Sequence, residues 1–353
     1  MSPFSVGLEA TATLAHRFTG VPRYALELSR ALAALGAPDL RCRMLFRLAS
    51  FRKRELMAAY PWPTRWYASG PWPAMPRCDV VHALATRLPH RTGRAARVST
   101  LHDLSPFMLP NYGSDRGLRN SQQSYRDAAT ADRLIAVSQA TKDDYLRLFP
   151  IAAERIDVIH HGLPDVFFAP RSARQPRASA APPYLVVFGG NPRKNLARTI
   201  EAFAISASRK HLQLRVVGTP DPASAAALRA SGGADSVRLV QIDDDAAMVD
   251  LYRGSVGLVF ASLQEGFGFP LLEAMASSVP VLTSARPGTA EIAGGHATLV
   301  DPESVESIAA GIDRLPGAGA DEHALAAAAA YARTFTWRRC AERTLDVDRA
   351  VAG

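Results

Sequence analysis

The chain has 353 residues, enough for two ordinary domains, and its 48% apolar content excludes a disordered chain. No apolar run approaches the roughly 20 residues of a membrane-spanning helix. The net charge of +8 is one-sided, with 22 Lys+Arg against 14 Asp+Glu in residues 1–170 and 19 of each in residues 171–353. A field of that kind suits a polyanion or an anionic membrane surface. Nucleic acid is excluded as the expected partner, because zinc-finger, KH and RNP signatures are all missing. The opening MSPFSVGLEATATLAHRFTG lacks a signal peptide's order of basic, apolar and small residues, so the expected place is the cytoplasm. Cys42, Cys78 and Cys340 are odd in number and far apart, which reads as ordinary thiols of a reducing compartment.

In chain order, a helix is expected in PRYALELSRALAAL (22–35). The stretch FRKRELMAAYPWPTRWYASGPWP (51–73) then gathers Arg52, Lys53 and Arg54 with Trp62, Trp66, Tyr67 and Trp72. Cations beside interfacial rings suit peripheral contact with an anionic membrane; the same composition also fits a Pro-rich loop whose tryptophans pack on the domain. Short apolar strands are expected at 98–104, 132–138 and 155–162, then at 183–190, 212–218, 236–242, 256–262 and 279–284. Between the two groups, APRSARQPRASAAPP (169–183) has no apolar periodicity and reads as a linker. Strands alternating with helices predict an α/β protein with two doubly wound parallel sheets. The expected domains are 1–168, a linker at 169–182, 183–335, and a C-terminal helix at 336–353 free to pack back on the first domain. Ligands of such sheets bind beyond the carboxyl ends of the strands, here in the cleft expected between the domains.

Two segments carry chemistry. In VVFGGNPRKNLARTIEAFA (186–204) a strand ends at Gly189-Gly190, and Arg193 and Lys194 precede a helix with Asn195 as its expected cap. Two cations at a helix start neutralise a diphosphate. In SLQEGFGFPLLEAMASSVPVLTS (262–284) seven residues separate Glu265 from Glu273. Gly266 and Gly268 allow a tight turn, and Pro270 suits the first helical position. The amides of Leu271 and Leu272 are expected to be free and to face a phosphate. Glu265 is placed to reach a sugar hydroxyl and Glu273 a ribose diol. Asp243, Asp244 and Asp245 read as a solvated loop and helix start, and His160-His161 lacks a third ligand at metal spacing, so no metal is expected.

GGNPRKN and EGFGFPLLEAMA together resemble the retaining glycosyltransferase family 4, whose fold is GT-B: two Rossmann-like domains facing a central cleft. The resemblance extends over FTGVPRYALELSRAL (18–32), TLHDLSPFMLP (100–110), DRLIAVSQATKDDYLRLF (132–149), RIDVIHHGLPDVF (155–167), VPVLTSARPGTAEIAGGHATLVDP (279–302) and FTWRRCAERTLDV (335–347). It implies that Arg193 and Lys194 hold a donor diphosphate, that Glu265 touches the transferred sugar, and that Glu273 holds the ribose. Gly189 and Gly190 open the phosphate segment, and Gly266, Phe267 and Gly268 shape the sugar pocket. Gly20 lets its loop approach the donor phosphates. His102 is placed near the reacting sugar, with Asp103 orienting its loop. Where many members have Gly-Gly, this chain has Thr19-Gly20. The TG-x-x-RY version resembles a subgroup of mannosyl- and rhamnosyltransferases of polysaccharide assembly, which favours GDP-mannose as donor. The implied reaction needs neither cofactor nor metal, and its acceptor is a glycan or a polyprenyl-diphosphate-linked glycan. Two alternatives stay open. One is another GT-B enzyme: a sugar-nucleotide epimerase, or a phosphorylase drawing its Schiff-base lysine from Lys53, Lys142, Lys194 and Lys210. The other is a non-catalytic nucleotide-sugar-binding subunit. A dehydrogenase is disfavoured because no G-x-G-x-x-G opens a helix after a strand.

Overall fold

In the first half of the chain seven strands form one parallel sheet: β1 (Phe4–Glu9), β2 (Leu40–Arg47), β3 (Thr64–Tyr67), β4 (Val80–Ala83), β5 (Ala96–Leu101), β6 (Arg133–Ala136) and β7 (Ile156–Val158). Their order is β3-β2-β1-β4-β5-β6-β7. β1 lies between β2 and β4, with Val6 opposite both Cys42 and Val80. The sequence carried no expectation for β1 to β4. β3 and β4 are four residues each, too short for a periodic signal, and β2 interleaves arginines with apolar residues.

The computed structural model describes residues 3–15, 20–68, 75–89, 92–109, 115–169, 182–231, 236–315 and 321–353. Residues 170–181 of the expected linker lie outside these, as do Thr19 and Trp72. The chain divides into two units, Met1–Gly162 with Phe335–Gly353, and Leu163–Thr334. The C-terminal helix Trp337–Ala352 therefore belongs to the first unit and packs on the helix Val21–Ala34. It buries Trp337, Cys340, Ala341, Thr344, Leu345 and Asp348, a three-and-four spacing that puts them on one face. Gly162 accommodates its start: a Cβ there would stand 2.1 Å from Trp337 N.

The second unit repeats the plan with β8 (Tyr184–Phe188), β9 (Gln213–Val217), β10 (Val237–Val240), β11 (Gly257–Phe260), β12 (Val281–Ser284) and β13 (Thr298–Val300), all parallel, in the order β10-β9-β8-β11-β12-β13. Its core packs Leu185, Val187 and Leu214 of the sheet on Leu196, Ile200 and Phe203 of the helix Leu196–Ile205. Each such side chain contributes about 1.5–3 kcal/mol on burial. In both units the chain enters mid-sheet, winds to one edge, then returns to the other side. The direction reverses between β1 and β4 and between β8 and β11, the positions where an open α/β sheet forms a ligand crevice.

Candidate active site

After β8 the chain passes Gly189 and Gly190, a single turn at Pro192–Lys194, and the helix Leu196–Ile205. A Cβ on Gly189 would stand 2.9 Å from Leu196 Cδ2. Asn191 caps the turn, its Oδ1 accepting from Arg193 N at 3.0 Å. Asn195 heads the helix, but in the left-handed conformation (φ 59°), and its side chain does not cap it. That backbone turns the side chain away from the first helical amides. Its Nδ2 instead donates to Ala261 O at 3.0 Å and to Pro302 O at 2.7 Å. Leu263 N donates to Arg193 O at 2.8 Å. These bonds tie the loop after β8 to the loop after β11.

On that platform Arg193 Nη1 donates to Glu265 Oε2 at 2.6 Å and Lys194 Nζ to Glu265 Oε1 at 2.7 Å. Lys194 also stands 4.5 Å from the Phe260 ring centroid. Burial by itself raises the Glu265 carboxyl, but the Arg193 and Lys194 charges outweigh it and bring the pKa from 4.5 down to about 2. Two cations facing one carboxylate leave a positive charge in excess. The arrangement can hold an anion on the cations and accept a hydroxyl on the carboxylate.

The following helix, Phe269–Ala276, starts one residue earlier than expected, with Pro270 second. Gly268 adopts φ 92°, ψ 59°, and its carbonyl accepts from Leu271 N at 3.0 Å. The expectation of a free Leu271 amide is therefore corrected, since the cap carbonyl takes it as the first bond of the turn. The Leu271 and Leu272 side chains are buried in the unit. Phe267 meets Phe269 edge-on at 5.2 Å, against the Gly266–Gly268 turn. Glu273 is buried, and its Oε2 accepts from Tyr252 Oη at 3.0 Å. Tyr252 lies on the helix Asp245–Gly254, which Asp244 caps by accepting from Ala247 N at 2.8 Å. Nothing in the sequence singled out Tyr252.

Gly20 and His102 belong to the first unit. Gly20 heads the helix Val21–Ala34 at φ 59°, ψ −124°, a conformation that side-chain-bearing residues rarely adopt. His102 Nε2 lies 2.7 Å from Leu84 O, so this nitrogen carries the hydrogen and donates. Burial lowers the His102 pKa, and the bond to Leu84 partly offsets it. The ring packs at 5.0 Å from Tyr24 and 5.7 Å from His161, and His161 in turn stacks on Trp337. His160 faces Phe335. The His160-His161 pair thus sits among aromatic rings. Behind them runs a buried chain: Tyr24 Oη to Thr100 Oγ1 at 3.0 Å, Thr100 Oγ1 to His82 Nε2 at 2.9 Å, and His82 Nδ1 to Asp348 Oδ1 at 3.1 Å. His82 and Asp348 stand 266 positions apart, beyond any local sequence signal.

In the basic stretch, Trp62 Nε1 donates to Ser29 O at 2.9 Å, and Trp66 packs near Phe46 and Phe51. These two rings anchor on the unit. Arg52, Lys53, Arg54, Leu48 and Phe51 are exposed.

Comparisons with known proteins bear on this arrangement. Residues 18–167 match the model for Glycosyltransferase Family 4, and residues 172–330 match that for Glycosyl transferases group 1. The chain is 26% identical over 385 residues to O-antigen chain mannosyltransferase B of Escherichia coli, covering 96% of this chain and 97% of that one. A glycosyltransferase from Rickettsia africae superposes with a TM-score of 0.75 at 17% identity, over 99% of both chains. Anabaena HepE in complex with UDP-glucose superposes with a TM-score of 0.72 at 17% identity, over 98% of this chain and 99% of that one.

Proposed function

The chain belongs to glycosyltransferase family 4 and is a glycosyltransferase of the GT-B fold, and from that premise we propose that it transfers mannose from GDP-mannose, with retention, to a glycan or polyprenyl-diphosphate-linked acceptor of a surface polysaccharide such as lipopolysaccharide. The observation that carries this reading is the convergence of Arg193 and Lys194 on Glu265 at the β8–β11 switch point. The E. coli relative, itself named a mannosyltransferase, supports mannose. The Anabaena neighbour bound to UDP-glucose supports a nucleotide-sugar donor.

In this mechanism the bond from the sugar anomeric carbon to the diphosphate breaks first. Arg193 and Lys194 stabilise the charge that grows on the departing phosphate, a preorganised electrostatic effect. The acceptor hydroxyl attacks the anomeric carbon from the face the phosphate is leaving, and a phosphate oxygen takes its proton. Glu265 accepts a hydrogen bond from a sugar hydroxyl, and Glu273 takes the ribose diol while Tyr252 holds it. For His102, Nδ1 is the ring nitrogen left to meet substrate, since Nε2 is given to Leu84. The two side-chain cations do the charge neutralisation that other transferases assign to a metal, so the reaction runs without metal or cofactor.

The test is a screen of nucleotide release from GDP-, UDP-, dTDP- and ADP-sugars in excess EDTA, with the product anomer read by NMR. Release from GDP-mannose and an α-linked product are expected; activity that requires a restored divalent ion would overturn metal independence. The proposal also docks the protein on the inner membrane leaflet through Arg52, Lys53 and Arg54 with exposed Leu48 and Phe51. Co-sedimentation with anionic vesicles should weaken as salt rises. Absence of binding at low salt would point to a soluble acceptor.

A further inference from the structure

Within the first unit, we infer that Asp348 of the last helix is a positioning residue for His102, acting through His82 and Thr100 on Tyr24, whose ring holds the His102 imidazole. Four elements supply this chain: Tyr24 comes from the helix Val21–Ala34, His82 from β4, Thr100 from β5 and Asp348 from the helix Trp337–Ala352. A carboxylate only accepts hydrogen bonds, so His82 Nδ1, 3.1 Å from Asp348 Oδ1 and 3.4 Å from Oδ2, carries the ring hydrogen. In the neutral imidazole Nε2 is then an acceptor, and Thr100 Oγ1 donates to it at 2.9 Å. That bond uses the single hydrogen of the Thr100 hydroxyl, so Tyr24 Oη donates to Thr100 Oγ1 at 3.0 Å. Asp348 thereby sets the direction of every bond in the chain. Without it the His82 hydrogen is free to move to Nε2, and the chain then leaves one hydroxyl hydrogen, of Thr100 or Tyr24, without an acceptor.

His102 lies at the far end. It meets the Tyr24 ring edge-on at 5.0 Å, with 74° between the planes, and His161 stands 4.5 Å from Tyr24 and 5.7 Å from His102. The bond from His102 Nε2 to Leu84 O fixes one ring atom. The ring can still swing about that bond, and the contact with Tyr24 limits the swing. Exposure separates the roles: Tyr24 is 1% exposed and His82, Thr100 and Asp348 are 0% exposed, whereas His102 keeps 9%. Of these five, only His102 has appreciable surface to offer a ligand, so the other four can affect a reaction only by way of it. A reacting group has to be held within about 10–20° of its productive orientation by packing and by the hydrogen bonds behind it. The effect on turnover rests on the reading that His102 meets substrate; the effect on the ring does not. Tyr24, the last residue of the TG-x-x-RY segment, finds its role here.

The experiment reads the ring and the reaction separately. Imidazole signals of His102 are followed by proton–nitrogen NMR, assigned by their loss in His102→Ala, and nucleotide release is measured with GDP-mannose. Tyr24→Phe keeps the ring and removes the hydroxyl. Asp348→Asn keeps an oxygen for His82 Nδ1, and Asp348→Ala does not. The His102 signals should shift or broaden in Tyr24→Phe and Asp348→Ala and stay near wild type in Asp348→Asn. In the two disrupting variants kcat should fall about tenfold, within what a small misplacement of a reacting group costs, with the donor KM unchanged. Tyr24→Phe should cause no further fall in a His102→Ala background, because both changes act on one group. Thr100→Val cuts the chain at its middle and stands in for Asp348→Ala if that protein does not fold. Unchanged His102 signals in folded Tyr24→Phe and in folded Asp348→Ala or Thr100→Val overturn the inference, as does an undiminished further fall in the double variant. If the signals move as expected but His102→Ala keeps wild-type turnover, the positioning stands and His102 leaves the transfer reaction instead.

Discussion

Glu9 and Glu265 are both buried, at 1% and 6% exposure, Glu9 as the last residue of β1 and Glu265 in the loop after β11, at the switch points of sheets with the same winding. Burial raises both carboxyls, yet their net shifts run in opposite directions. Glu265 is brought down to about 2 because the neighbouring loop delivers Arg193 and Lys194. Glu9 is pushed up because burial outweighs the lowering by Thr11, Tyr67 and the charge of Arg47. One fold thus makes a corner in the second unit where two cations bond the carboxylate directly, and one in the first where neutral donors bond it and Arg47 acts through Tyr67. In the second unit the partners come from a neighbouring loop, in the first from Tyr67 and Arg47 at the ends of adjacent strands and from Thr11. A charge-rich corner suits a reaction in which phosphate charge grows.

The sharpest test of this contrast removes the cations. Arg193→Ala and Lys194→Ala should each lower turnover by about 10²–10³, some 3–4 kcal/mol of transition-state stabilisation. Near wild-type turnover in both, measured as nucleotide release, would dissolve the distinction between the two corners.

The next test attacks the first unit alone. Asp348→Ala leaves His82 buried without its partner and should cost on the order of 3 kcal/mol. The chain's tryptophans, at 62, 66, 72 and 337, all fall in the first unit, so their fluorescence reports that unit. A urea midpoint followed by fluorescence should shift, with nucleotide binding intact. An unshifted midpoint would mean that the C-terminal helix is held by its apolar face alone.

Glu273→Ala should weaken binding of the free nucleoside diphosphate by about 1–3 kcal/mol, read by calorimetry. Unchanged affinity would remove Glu273 from the ribose and leave it a structural partner of Tyr252.

Acid should separate the units most gently. His161 and His102 are held neutral by burial, so the unfolded chain binds more protons below their ordinary 6.5, and the first unit loses stability as pH falls below that value. The stability that Glu265 contributes is full above its ordinary 4.5 and is lost as pH falls towards about 2. Tryptophan fluorescence should therefore change at higher pH than the remaining helical circular dichroism. Coincident transitions would show that the two units unfold together.

Much of the second unit was legible in the chain. Strand, glycine pair, adjacent cations and helix follow one another within a few residues, and so do Glu265, the glycine turn and Glu273, because a switch-point loop is built from consecutive residues. Asn195 takes the cap position expected of it, but its left-handed backbone redirects the amide, so the side chain makes no cap bond. The Leu271 amide was misjudged for a similar reason: Gly268 permits the turn, and that turn also supplies the acceptor. The first unit was far less legible. Its strands β1 to β4 are short or interrupted by arginine, and Glu9, Tyr67, His82 and Asp348 carry no local pattern.

By itself, then, the sequence determined the alternation of strand and helix, the one-sided charge, and the two compact segments whose glycines, cations and carboxylates act within a single loop and its helix. Only the tertiary structure decided that Lys194 and Arg193 close on Glu265, that Tyr252 holds Glu273, and that the last helix returns to bury Asp348 against His82. Local patterns record backbone period and turn chemistry, which are set by neighbours along the chain. Hydrogen bonds between distant residues depend on which loops the winding order of the sheet brings together, and no neighbouring residue records that order.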